Sequence, residues 1–183
     1  MIFNARQDTV LIVTPTSALM CAMTHHDLMA IKYRMGEATT AVLLGSNVAD
    51  RLNSAVKEGQ KIRATHLIVW EADMRSLDDA ILATLIARRV HIIGANYRHR
   101  QQPGWTTLGM DGQYLTSRGK SGIERVLRIG CGVMVIDMAV FATLAKPWFS
   151  QPYDPEIDLH QPTPDYYFCA KAIANGEHVY VDH

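Results

Sequence analysis

A surplus of charge of either sign is missing from this sequence, in which 18 Lys and Arg stand against 18 Asp and Glu. A balanced chain has no overall electrostatic pull toward nucleic acid or an anionic membrane, so any such contact has to come from a local basic patch. Cysteine is also scarce. Cys21, Cys131 and Cys169 are far apart, odd in number and without a C-x-x-C pair, which argues against a disulfide framework or a structural zinc site and fits a reducing compartment. No apolar stretch approaches the roughly 20 residues that span a bilayer, and no basic region followed by an apolar core opens the chain, so a soluble cytosolic protein is expected. Internal repeats and low-complexity tracts are absent. So are the phosphate loop G-x-x-x-x-G-K-[ST], the dinucleotide fingerprint G-x-G-x-x-G, the nucleophile elbow G-x-S-x-G and the zinc helix H-E-x-x-H.

What is present points to one α/β domain over residues 1–183, a length that supports a real core. The most informative stretch is residues 64–74, A-T-H-L-I-V-W-E-A-D-M. A continuous apolar run fits a strand buried on both faces of a sheet, and its acidic end falls at the C-terminal edge, where open α/β sheets bind ligands. Glu71 and Asp73 are two apart, so on an extended chain both point the same way and suit one divalent cation or one phosphate-metal complex. A solvated strand end at Glu71 and a helix cap at Asp73 would look the same in sequence.

Strands are also predicted at residues 10–13, ending in a Thr14-Pro15-Thr16 turn, and at 41–44 and 90–95. Helices are predicted from Ser17 to Gly36, over 48–58 before Gly59, and from a capping-box-like Ser76-Leu77-Asp78-Asp79 to Arg88-Arg89. Strand alternating with helix implies mainly parallel pairing with right-handed crossovers. His25 and His26 diverge by about 100° around a helix axis, which is poor metal-ligand geometry. Arg51 is either a phosphate or base contact or a solvated helical arginine.

Residues 96–122 are polar and contain Arg98, His99, Arg100, Arg118 and Lys120 among Tyr97, Trp105 and Tyr114. A long irregular segment in a compact domain is expected to be a lid over the pocket. Strands then flank Gly130-Cys131-Gly132, where paired glycines permit close approach by a ligand. Asp137 caps a short helix, 151–164 is proline-punctuated coil, and a last helix runs from Asp165 to Gly176 before a final V-Y-V-D strand.

Taken in order, V-L-I-V-T-P-T, A-D-R-L-N, A-T-H-L-I-V-W-E-A-D-M, G-C-G-V-M-V-I-D-M-A-V-F, K-P-W-F and P-D-Y-Y-F-C-A-K-A-I-A-N-G-E-H-V-Y-V-D-H resemble the GT-A-type nucleotide-sugar glycosyltransferases, especially bacterial and phage members of the family 2-like group. The resemblance implies a GT-A-like Rossmann-type sheet, with Glu71-Ala72-Asp73 in the place of the Asp-x-Asp that holds Mn²⁺ or Mg²⁺ and the donor diphosphate. By the same resemblance Thr14, Pro15 and Thr16 lie beside the base, Arg51 matches the arginine of an Arg-Asn pair, and Gly130 and Gly132 border the donor sugar. Asp165 matches the aspartate of the Glu-Asp pair that supplies the catalytic base, with Pro164 in place of the glutamate. Relatives continue past the position of His183 to a further histidine of the metal site.

The implied activity is transfer of a sugar from a nucleotide-diphosphate sugar to an unknown glycan or other hydroxyl acceptor. A cation at Asp73 and Glu71 stabilises the leaving diphosphate, and Asp165 accepts the acceptor's proton from the opposite face. Trp148 and Trp105 are candidate acceptor platforms, the alternative for each being packing under a loop. Two other functions stay open, a degenerate nucleotide-sugar or glycan-binding module and a sugar nucleotidyltransferase. Against the second, no glycine- and basic-rich loop follows the first strand.

Overall fold

The computed structural model describes residues 9–16, 22–35, 38–44, 47–76, 78–98, 104–156, 159, 160 and 162–183. The expected cap at Ser17, the stop at Gly36, the turn at Gly45 and Ser46, and Cys21, Leu77, His99 and Arg100 lie outside them. Among the described residues ten strands occur: β1 Val10–Thr16, β2 Thr39–Leu44, β3 His66–Trp70, β4 Ile92–Ala95, β5 Leu108–Gly109, β6 Ile123–Arg128, β7 Val133–Asp137, β8 Tyr153–Asp154, β9 Leu159–His160 and β10 Val179–Asp182. The helices are α1 Ala22–Met35, α2 Val48–Lys61, α3 Ile81–Ala87, α4 Val140–Thr143 and α5 Pro164–Ala174.

Eight strands form one mixed sheet in the order β2-β1-β3-β7-β4-β10-β6-β5, and β8 pairs with β9 apart from it. β1 pairs parallel with β2 and β3, and β4 with β10, while β7 runs antiparallel between β3 and β4. Six strands, β1 to β5 and β10, point one way and β6 and β7 the other. The α/β architecture is therefore present as a mixed sheet, with three parallel and four antiparallel pairings where the sequence suggested mainly parallel pairing. β3 and β4 do not pair directly, because β7 is an apolar strand that fills the slot between them.

Alternation along each central strand builds two cores. Leu67 and Val69 of β3, Leu11 and Val13 of β1, and Met134 and Ile136 of β7 face one layer with Leu52 and Val56 of α2, Phe141 of α4 and Phe168 of α5. Ile68 and Trp70, Val10 and Ile12, and Val133 and Val135 face the other, with Leu28 and Ile31 of α1 and Leu82 and Leu85 of α3. A period of two on the strands thus serves both layers, which is why the apolar runs are unbroken. Each such side chain contributes on the order of 1.5–3 kcal/mol when taken out of water.

Local differences from the sequence expectations have physical causes. β1 continues through Thr14, Pro15 and Thr16, which pair with Val42, Leu43 and Leu44. Proline is tolerated there because pairing with β3 has already ended at Val13, so the missing N–H removes no bond on that side. α2 runs through Gly59 to Lys61, since a Cβ at Gly59 would lie 3.0 Å from Met138 Cε and glycine lets the helix pack close. Asn47 caps α2 by accepting from the N–H of Ala49 at 2.8 Å. Ahead of α3, Asp78 rather than Ser76 accepts from Ala80 N–H at 2.8 Å, so the helix starts later than the capping box suggested.

The segment 96–122 is not structureless where it is described. It supplies β5, Thr106 donates N–H and Oγ1 to the Tyr97 carbonyl, each at 3.1 Å, and Leu115 N–H bonds the Thr107 carbonyl at 2.9 Å. Its described part is the sheet's last strand and a wall of the cleft below. Likewise 151–164 carries the β8–β9 hairpin. Among the described residues, no helix is long and apolar enough to cross a membrane.

Candidate functional site

A cleft of 560 Å³ opens at the C-terminal ends of β3 and β4. Glu71, Asp73 and Met74 form one side, Tyr97, Arg98 and Thr106 another, Gly130 and Cys131 the floor, and Thr163, Pro164, Asp165 and Tyr166 the far side.

Glu71 follows the last pair of the β3–β7 ladder, and its N–H donates to the Gly132 carbonyl at 3.0 Å. The ladder ends there, and Met74 N–H closes a turn on the Glu71 carbonyl at 3.0 Å. The pair therefore sits on a strand end and a turn, not on an extended strand to residue 74. Glu71 is half-buried and Asp73 exposed, and both still line the cleft.

Asp165 enters from the N-terminus of α5, where Pro164 occupies the first turn. Its Oδ2 accepts the Cys131 N–H at 3.2 Å, while the Cys131 thiol donates to Glu71 Oε1 at 3.3 Å. One residue thus ties together the two acids on opposite sides of the cleft. Burial pushes the Asp165 carboxyl above its ordinary value, against hydrogen bonds from Thr163, Tyr166 and Cys131 that stabilise the charged form. Burial, followed by the charges of Glu71 and Asp165, drives the Cys131 thiol up too, so it is a neutral donor and not a thiolate nucleophile.

Tyr97 is the central wall residue that sequence reading passed over. Its hydroxyl accepts the Gly132 N–H at 2.8 Å, and burial, then Cys131 and Glu71, keep it protonated. The ring lies on both glycines: a Cβ at Gly132 would be 2.5 Å from Tyr97 Cζ, and one at Gly130 would strike the Tyr97 hydroxyl. The close approach anticipated at this glycine pair is made by Tyr97. Gly130 also lines the cleft, whereas Gly132 lies outside its lining. Tyr166 donates its hydroxyl to the Thr106 carbonyl at 2.8 Å and lies under Arg128, 4.6 Å from guanidinium to ring centre. The only hint of these two tyrosines in sequence is adjacency, Tyr97 to a basic segment and Tyr166 to Asp165.

Other sequence-predicted residues are placed elsewhere. Thr14, Pro15 and Thr16 are buried in β1, and Arg51 is 7% exposed on the inward side of α2, one turn beyond cleft-lining Val48. Trp148 corrects the platform expectation: it is 2% exposed, meets Phe141 edge-on at 5.8 Å, and donates its indole N–H to the Phe141 and Leu144 carbonyls. An indole at the C-terminal end of α4 is held there by helix carbonyls that lack an intrahelical partner, which a sequence pattern does not reveal. Trp105 is half-buried beneath Arg98, whose guanidinium lies 5.5 Å from its ring centre. Of Arg98, Arg118 and Lys120, Arg98 lines the cleft, while Lys120 pairs with Glu124 at 2.7 Å.

Among the described residues, no three His, Cys, Asp or Glu side chains gather as a ready-made metal cage. Two carboxylates at one cleft wall fit the mode in which a hard cation takes one or two protein acids and completes its shell with substrate phosphates and water.

Comparison with known proteins matches this architecture to solved structures at low sequence identity. A197 from STIV superposes with a TM-score of 0.65 at 14% identity, over 94% of this chain and 81% of that one. The 4-diphosphocytidyl-2C-methyl-D-erythritol synthase from Anaerococcus prevotii gives 0.54 at 7% identity, over 99% and 88%. Mannose-1-phosphate geranyltransferase from Thermus thermophilus gives 0.54 at 14%, over 96% and 74%. No family model matches the sequence, and no curated protein does. The fold is thus an α/β mixed sheet flanked by helices that resembles these structures.

Proposed function

We propose that this protein transfers a sugar from a nucleotide-diphosphate sugar to a hydroxyl acceptor with the help of Mn²⁺ or Mg²⁺. The observation that carries this is the placement of Glu71 and Asp73 on one side of a single cleft and the half-buried Asp165 on another. Asp73, with Glu71, holds the cation, which supplies neutralisation of the charge that develops on the leaving diphosphate. Arg98, lying against Trp105, adds a fixed positive charge at the mouth. Asp165, whose carboxyl burial raises from its ordinary value, accepts the proton of the attacking hydroxyl, a task suited to a carboxylate of raised basicity.

The names of two fold neighbours, a diphosphocytidyl-bearing product and mannose-1-phosphate, support a nucleotide- or sugar-phosphate ligand. A second reading, a binding module of the same fold without turnover, is favoured by the use of Cys131 to engage both Glu71 and Asp165, which commits these acids to structure.

The deciding experiment is a thermal-shift panel of nucleoside diphosphates with and without Mn²⁺, followed by donor hydrolysis and transfer assays. A bound ligand at 100 times its Kd stabilises by about 2.7 kcal/mol. Asp73→Asn should abolish the metal-dependent shift, and Asp165→Asn should keep it while suppressing transfer. Metal-dependent binding without transfer from any donor supports the binding module. If neither substitution changes binding or turnover, this site is not the functional one.

A further inference from the structure

A separate group of nucleophilic and titratable side chains lies beyond the C-terminal ends of β4 and β10, where a cavity of 290 Å³ is lined by Arg88, Asn96, Ser117, Asp182 and His183 among others. Ser117 Oγ lies 2.8 Å from His183 Nδ1, and His183 Nε2 lies 2.9 Å from Glu124 Oε2. The proton positions follow from charge. Lys120, then His183, hold the Glu124 carboxyl below its ordinary value, so it is an acceptor only. Nε2 therefore carries a proton and donates to Glu124, and in the neutral ring the lone pair of Nδ1 faces the Ser117 hydroxyl, which donates to it. The His183 side chain is 2% exposed, and its backbone N–H is fixed to the Gly122 carbonyl at 3.0 Å, so the ring is held in that orientation.

A fourth group completes the cavity. Arg88 donates Nε and Nη2 to Asp182 at 2.7 and 2.9 Å, which fixes the guanidinium on the cavity wall and leaves Nη1 outside the pair. Nucleophile to base, base to carboxylate, and a fixed guanidinium donor on the same cavity are the elements that acyl transfer requires.

We propose that Ser117 and His183, positioned by Glu124, form a second active centre that hydrolyses short-chain esters. Ser117 Oγ bonds to the ester carbonyl carbon while its proton passes to His183 Nδ1, and Arg88 faces the oxygen on which charge develops. The carbon–oxygen bond to the alcohol then breaks, and the alcohol leaves with that proton. Water next gives a proton to Nδ1 and bonds to the acyl carbon, and the bond to Ser117 Oγ breaks as the proton returns to serine and the carboxylic acid departs. The cavity volume is at the lower end for ligand sites, about 300 Å³, which limits the acyl group to a short one.

The test treats the full chain with p-nitrophenyl acetate for turnover and with a fluorophosphonate for covalent capture, the adduct being located by peptide mass spectrometry. Ser117 is expected to carry the label. Ser117→Ala, and His183→Gln, which keeps hydrogen-bonding groups but no base, are each expected to lose the label and lower turnover by about 100-fold. Thermal melting establishes that both variants are folded. An adduct elsewhere, no adduct, or turnover unchanged in Ser117→Ala overturns the proposal, and if a variant does not fold the labelling of the parent decides alone.

Discussion

Gly132 offers a sharp test of how the cleft floor is built. In Gly132→Ala the new methyl would sit 2.5 Å from Tyr97 Cζ and 2.8 Å from both Cε1 and the hydroxyl oxygen, against a preferred carbon contact near ~3.5–4.0 Å. Its φ lies outside the left-handed region, so backbone strain adds nothing and the effect is steric. The ring has little room to yield, because its hydroxyl is bonded to Gly132 N–H and its carbonyl receives both Thr106 donors. An overpacked site of this kind costs about 1–3 kcal/mol. Tyr97→Ala removes the obstacle at the cost of a cavity, about 3–5 kcal/mol by analogy with other aromatic truncations. Adding Gly132→Ala to it should then cost close to nothing, so the double-mutant cycle should give a coupling of about 1–3 kcal/mol, with the double variant more stable than the sum predicts. Urea unfolding of the four proteins measures this by linear extrapolation. Effects that add to within about 0.5 kcal/mol would refute the packing of Tyr97 on Gly132.

Asp165 sets a pH dependence. Because burial raises its folded value above the ordinary 3.8, its contribution to stability is full at pH below that of the unfolded chain and is lost as pH rises through the folded value. Asp165→Asn should flatten the fall in melting temperature over that window, and an unchanged profile would contradict the burial. Trp148→Ala should cost about 3–5 kcal/mol in urea unfolding, whereas Trp148→Phe should leave any ligand binding intact, since the indole packs in the core. Asn53 accepts the N–H groups of Trp148 and Phe149, each at 3.1 Å, and donates to the Phe149 carbonyl at 2.8 Å. Asn53→Ala should destabilise by about 2–4 kcal/mol, with a smaller effect arguing that α2 does not anchor this segment.

The order of strands and helices through residue 95, the buried character of His66–Trp70 and the helix from Pro164–Ala174 closing at Gly176 were legible in sequence. Each rests on local physics: apolar period, capping chemistry, and a glycine at φ +91° where side chains are disfavoured. The placement of the 71–73 acids at a strand's C-terminal edge followed for the same reason. Tertiary structure decided what pairs across distance. Nothing local in Val133–Asp137 announces that it inserts antiparallel between β3 and β4, because register and slot are set by both cores at once. Nor does Gly130-Cys131-Gly132 reveal whether a ligand or Tyr97, more than 30 residues earlier in the chain, lies against it. Trp148 could be read from its indole as platform or core filler until the Phe141 and Leu144 carbonyls were brought to its N–H. The Ser117, Glu124 and His183 relay is likewise invisible in sequence, since its members lie on a turn, on β6 and just after β10, which only the β6–β10 pairing brings together.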